Sequence, residues 1–175
     1  MESPNFGGLV PSAEIVLLDA ESLKVEAAKE GAKQPYPGLN SERVYLAYVG
    51  VGRDVPSRDV DRREGLTLAD GSLVYVKSLR HKELEELYAQ GRALWVAWPI
   101  DRVPRDFVIA ASVRTNTPTS SSVFVWGAMT GEDVDTAIQS LRHWPPKAGR
   151  KNASANVHIP LSAFSGALYQ ELRTV

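Results

Sequence analysis

The sequence predicts a single α+β domain: a mixed or mostly antiparallel sheet of about five to seven strands with three to four helices packed on it. Three observations predict it. Short apolar, β-branched segments recur with turn residues between them. At least two segments carry helical apolar spacing with recognisable ends. Hairpin connections outnumber strand–helix–strand crossovers. A chain of 175 residues is long enough to bury one core, and 43% hydrophobic with 23% charged residues excludes wholesale disorder.

Taken in order, residues 1–12 are rich in Pro and Gly and read as an extended N-terminal arm, with the domain over 13–175. Residues 13–18 form a short apolar strand. Asp19 is placed to cap a helix reaching residue 29 or 30, closed by Gly31. Residues 44–49 are apolar or aromatic on both faces, as in a strand inside a sheet. The mixed charges of 52–64 mark a solvated loop; its acids do not follow the ligand ladder of a calcium site.

Asp70-Gly71 joins strands 66–68 and 73–76 in a hairpin, because glycine accepts positive φ freely. Ser78 caps and Gly91 stops the next helix. Strands follow at 93–98, 107–113 and 123–126, the last two joined by a hydroxyl-rich hairpin loop over 115–122. Trp95 and Trp98, three residues apart, point to opposite faces of their strand, so one of them needs a covering layer. Strands apolar on both faces call for helices on one side and a second helix layer or a partner subunit on the other.

Thr130 starts the clearest helix. Glu132 and Asp133 sit at its favourable end, and Val134, Ala137, Ile138 and Leu141 follow the i, i+3, i+4, i+7 pattern. Arg142 and His143 suit its C-terminus, and Pro145-Pro146 forbids continuation. A short strand around Val157-His158-Ile159 turns His158 outward. The helix over 162–172 gathers Phe164, Leu168 and Leu172 on one face.

Several chemistries are excluded. Without cysteine there are no disulfides, thiol nucleophiles or cysteine-ligated metals. No Walker A motif occurs, and Gly50-Val51-Gly52 lacks the third glycine of a dinucleotide loop. The three histidines show no metal-ligand or triad spacing. No catalytic residue, metal ligand or cofactor is expected. A formal net charge of −1 argues against a generic nucleic-acid coat. Apolar runs too short for a bilayer and an N-terminus without signal-peptide character predict a cytoplasmic protein with no membrane partner.

Two basic clusters remain. Arg80, His81 and Lys82 occupy the first turn of their helix, where backbone N–H groups and the dipole favour an anion. The plain alternative is a pair of i,i+4 contacts, His81–Glu85 and Lys82–Glu86. The second cluster comprises Arg142, His143, Trp144, Lys147, Arg150 and Lys151, aromatic and cationic together as in single-strand binders. Its alternative is a neutralised helix end with Trp144 folded back on the core. These features point first to a non-enzymatic interaction or assembly subunit, whose arm and polar loops contact a protein partner or a second copy. The first alternative is a binder of nucleic acid or a phosphorylated ligand through the nine residues of the two clusters. The second is an enzyme with an unrecognised histidine–carboxylate site.

Overall fold

The computed structural model describes residues 3–17, 60–61, 65–68, 70–117, 120–146 and 154–173. The expected helix at 19–30, the strand at 44–49, most of the charged loop, and Lys147, Arg150 and Lys151 lie outside the described residues. Within them the fold is the predicted α+β class. A mixed six-stranded sheet is joined by a two-stranded antiparallel ribbon and three α-helices.

The sheet begins with β1 (Ala13–Leu17), β2 (Val60–Asp61) and β3 (Gly65–Thr67). The Asp70-Gly71 turn then leads into β4 (Leu73–Arg80): Gly71 has φ 87°, and Asp70 Oδ1 accepts from Ser72 N at 2.9 Å. This strand outruns its predicted end. Parallel pairing with β6 (Phe107–Thr117) holds it extended from Val74, opposite Phe107, to Arg80, opposite Val113. The helix α1 (His81–Ala89) therefore starts three residues after Ser78, with Arg80 at its N-cap and no side-chain cap bond. Ladder hydrogen bonds to β6 outweigh the local capping preference of one serine. The predicted stop holds: Gly91 has φ 66°, Gly91 N donates to Tyr88 O at 3.0 Å, and Arg92 N donates to Leu87 O at 3.0 Å. These two bonds are those of a Schellman motif.

After β5 (Trp95–Pro99), β6 and β7 (Ser120–Thr130) form a long antiparallel pair. The expected loop at 115–122 is mostly strand: Thr117 already pairs with Ser120. Threonine and serine side chains suit an exposed strand end, so polarity alone misplaces the turn. A bulge interrupts β7 at Trp126, where Ala110 pairs with Gly127 and Ala111 with Val125. The extra residue re-phases the strand, sending Phe124 and Trp126 to one face but Val125 and Ala128 to the other. β1 closes the sheet order β1-β7-β6-β4-β3-β2 at one edge.

The helix α2 (Gly131–Ser140) starts at Thr130, whose side chain accepts from Asp133 N at 3.1 Å. Antiparallel to β5 runs β8 (Asn156–Pro160), followed by a 3-10 turn (Leu161–Ala163). The last helix, α3 (Gly166–Leu172), is shorter than predicted, because Ser165 caps it by accepting from Leu168 N at 3.1 Å. Phe164 precedes it, in the opposite core layer from Leu168 and Leu172.

Burial follows the pleat. Val74, Val76, Ile109, Ala111, Val123 and Val125 face α3, with Tyr169 and Leu172 completing that layer. Val108, Ala110, Phe124 and Trp126 face the other way, against α1, α2 and the β5–β8 ribbon. β6 and β7 are thus covered on both sides by elements of this chain, not by a partner subunit. Within residues 3–12, Phe6 and Leu9 exchange backbone bonds of 3.0 and 3.3 Å around Gly7-Gly8 and pack on the second layer.

An aromatic ladder on the β5–β8 ribbon

The ribbon is apolar inside and aromatic outside. In β5, Val96 and Trp98 are buried while Trp95 and Ala97 alternate outward; in β8, Val157 and Ile159 are buried while His158 is half-exposed. Antiparallel register places Ala97 opposite His158 and Trp95 opposite Pro160, so Trp95 and His158 are diagonal neighbours within side-chain reach. Their rings stack with centroids 3.7 Å apart and planes 2° from parallel. The chain leaving α2 adds a third ring. Trp144 and Asn156 exchange backbone hydrogen bonds of 2.7 and 2.9 Å, which brings the indole to 5.0 Å from His158 with planes 8° apart. The Arg142 guanidinium lies 3.8 Å over the Trp144 ring.

Three segments distant in sequence thus assemble one ladder, Trp95–His158–Trp144–Arg142, whose outer end is cationic. Trp144 remains 37% exposed. It is therefore neither in a free loop nor folded into the core. Partial burial, then the nearby Arg92 charge, hold the His158 imidazole below its ordinary titration range. At neutral pH it stacks as a neutral ring. Beside Trp95 and Ala97 a half-open groove of about 520 Å³ runs between α1 and β4. Leu79, Leu84 and Leu87 line it, with Lys77, Glu86 and Arg92 among its charged walls.

The other predicted site residues are distributed differently. The His143 Nε2 group lies 2.8 Å from Ile138 O, so the ring is engaged at the end of α2. Arg80 and Lys82 are exposed at the start of α1. His81, between them, is only 2% exposed and does not join them in an anion site. Helical geometry turns this first helical residue inward over β6 and β7. Its ring is stacked parallel to Trp126, lies 4.9 Å from Phe124, and is met at 5.6 Å by Phe6.

The groups around His81 favour one tautomer. Ser112 Oγ accepts from Trp126 Nε1 at 2.9 Å and lies 3.1 Å from His81 Nδ1. Glu85 Oε1, 3.8 Å from Nε2, favours a proton on that nitrogen, and the Ser112 hydroxyl then donates to Nδ1. This is the predicted i,i+4 contact, between a buried imidazole and an exposed carboxylate. The serine–imidazole pair is no nucleophile. Ser112 is fully buried and its hydroxyl serves the core. Among the described residues no group of three His, Asp or Glu side chains could hold a metal ion.

Burial lowers the His81 pKa below 6.5; Glu85 raises it and Arg114 lowers it by smaller amounts. The unfolded chain therefore binds this proton more readily, and stability rises with pH across the window below 6.5. Expected is a denaturant midpoint that is flat above this window and falls with acidification through it. His81→Gln should flatten that limb. An unchanged limb in the variant would assign it to other groups.

Sequence reading missed His158 as the neighbour of Trp144, and Trp95 and Arg92 as neighbours of His158. The outward direction of His158 was legible, but the pairing of β5 with β8 has no local signal. Set beside known proteins, the chain matches no family model, no curated protein and no solved structure.

Proposed function

We propose that this protein is a non-enzymatic binding or assembly subunit whose contact surface is the outer face of the β5–β8 ribbon. The observation that supports it is the ladder itself. Tryptophan and arginine dominate interface energetics, and here they are pre-stacked at the surface, so little side-chain entropy remains to be lost on binding. The arm and the hydroxyl-rich loop, the contact devices read from sequence, fit this role less well. Phe6 packs against His81, Tyr88 and Trp126 of its own chain, and the described residues of the loop are strand. A cytoplasmic location goes with this reading, and no helix among the described residues is long and apolar enough to cross a membrane.

Native mass measurement of the chain purified from its own cells tests the proposal. The expected species exceeds 19.1 kDa through a bound partner or second copy, and Trp144→Ala with Arg142→Ala returns it to that mass with an unchanged circular dichroism spectrum. A native chain of 19.1 kDa with nothing bound would overturn it.

A further inference from the structure

Building on that contact surface, we propose that the ladder is a stacking site for single-stranded nucleic acid, with a base on the Arg142 guanidinium and the strand running back along the ladder, its phosphates held by Arg142 at one end and by Arg92 beside His158 at the other. Three observations point to this ligand in preference to a peptide.

The first is geometry. Neighbouring rings of Trp95, His158 and Trp144 lie within 8° of parallel, with centroids 3.7 and 5.0 Å apart. The tighter spacing is close to the rise of stacked bases, about 3.4 Å per nucleotide on one strand. A guanidinium is planar and stacks on π faces, so the outermost member extends the series in place of closing it. The second is charge. Arg142 and Arg92 are both exposed, Arg92 acts electrostatically on His158, and residues 136–170 contain no acid. Glu83 and Glu86 line the groove at the Trp95 end of the ladder, together with Arg92. The third is rigidity. The paired backbone bonds between Trp144 and Asn156 hold the platform in place before any ligand arrives. Every base offers a π face, so binding of this kind tolerates sequence.

Two phosphate contacts on a single strand give a salt slope of about −1.4, so affinity falls about sevenfold between roughly 50 and 200 mM salt. The test titrates the full chain with oligouridylate and oligodeoxythymidylate, following tryptophan fluorescence, with inorganic polyphosphate as competitor.

The expected result is quenching on binding, about the stated salt dependence, and a loss of at least about fivefold in Trp144→Ala that Trp144→Phe largely restores. Arg142→Ala should weaken binding and halve the salt slope. Circular dichroism of each variant shows that the fold persists, and Trp144→Phe keeps a ring in place should the alanine variant unfold. No binding, equal binding by wild type and Arg142→Ala, or displacement by polyphosphate at equal phosphate concentration would each overturn the inference. If oligonucleotides fail while the native complex still loses its partner in the Trp144 and Arg142 variants, the contact surface stands and its ligand is a protein. If both fail, the proposed function falls as well.

Discussion

Gly127→Ala is expected to lower the unfolding free energy by about 3 kcal/mol or more. Two costs coincide there. Gly127 has φ 151°, a conformation that side-chain-bearing residues rarely adopt. An added Cβ would also stand 2.7 Å from the Phe164 carbonyl carbon and oxygen and 2.8 Å from the Ser165 carbonyl carbon. These are backbone atoms, held by the reciprocal bonds between Ala128 and Ser165 at 3.0 and 2.7 Å, and cannot rotate away as a side-chain tip would. The bulge that re-phases β7 and the docking of the segment entering α3 therefore share one residue. Gly71→Ala supplies the comparison: φ is 87° but no atom lies within 4 Å of the new methyl, so it should cost only about 1–2 kcal/mol. Urea unfolding of both variants checks the difference. Equal losses would show that backbone strain alone matters and that the contact with Phe164 relaxes.

Ser112→Ala is expected to cost about 2–4 kcal/mol, since it strands two buried groups at once. The Trp126 indole N–H loses its acceptor, and His81 Nδ1 loses its donor, in a site where Ser112 is fully buried and His81 nearly so. A double-mutant cycle with Trp126→Phe isolates the first interaction. The pair should be less destabilised than the sum of the single variants, with a coupling of about 1 kcal/mol. Additive losses would mean that the hydroxyl acts by filling space and not by satisfying the indole. Protonation of His81 acts in the same cluster, since an imidazolium can no longer accept from the Ser112 hydroxyl.

Much of the fold was legible locally. The Asp70-Gly71 hairpin, the Thr130 cap and the Gly91 stop are each decided by a few neighbouring residues, and each occurs where its chemistry predicts. The alternation of Trp95 with Trp98, and of Val157 with His158, was legible for the same reason: a strand has period two whatever it pairs with. At two places where prediction failed, a distant strand had intervened. Pairing with β6 carried β4 past Ser78, and pairing between β6 and β7 turned a supposed loop into strand.

The candidate site divides along the same line. Arg142 and Trp144 were visible as a cationic–aromatic pair, and His143 as a residue suited to the end of α2. That His81 belongs to the core was not visible, because its burial depends on Phe124 and Trp126, brought over it by the bulged strand β7. The amino-acid sequence by itself determined the class of fold, the absence of cysteine chemistry, and the opposite directions of Trp95 and Trp98 and of His158 and its strand neighbours. Only the tertiary structure decided which outward faces meet, because strand pairing joins residues far apart in the chain through backbone groups that every residue type shares. Trp95, His158 and Trp144 became one ladder in that way, without any sequence pattern announcing it.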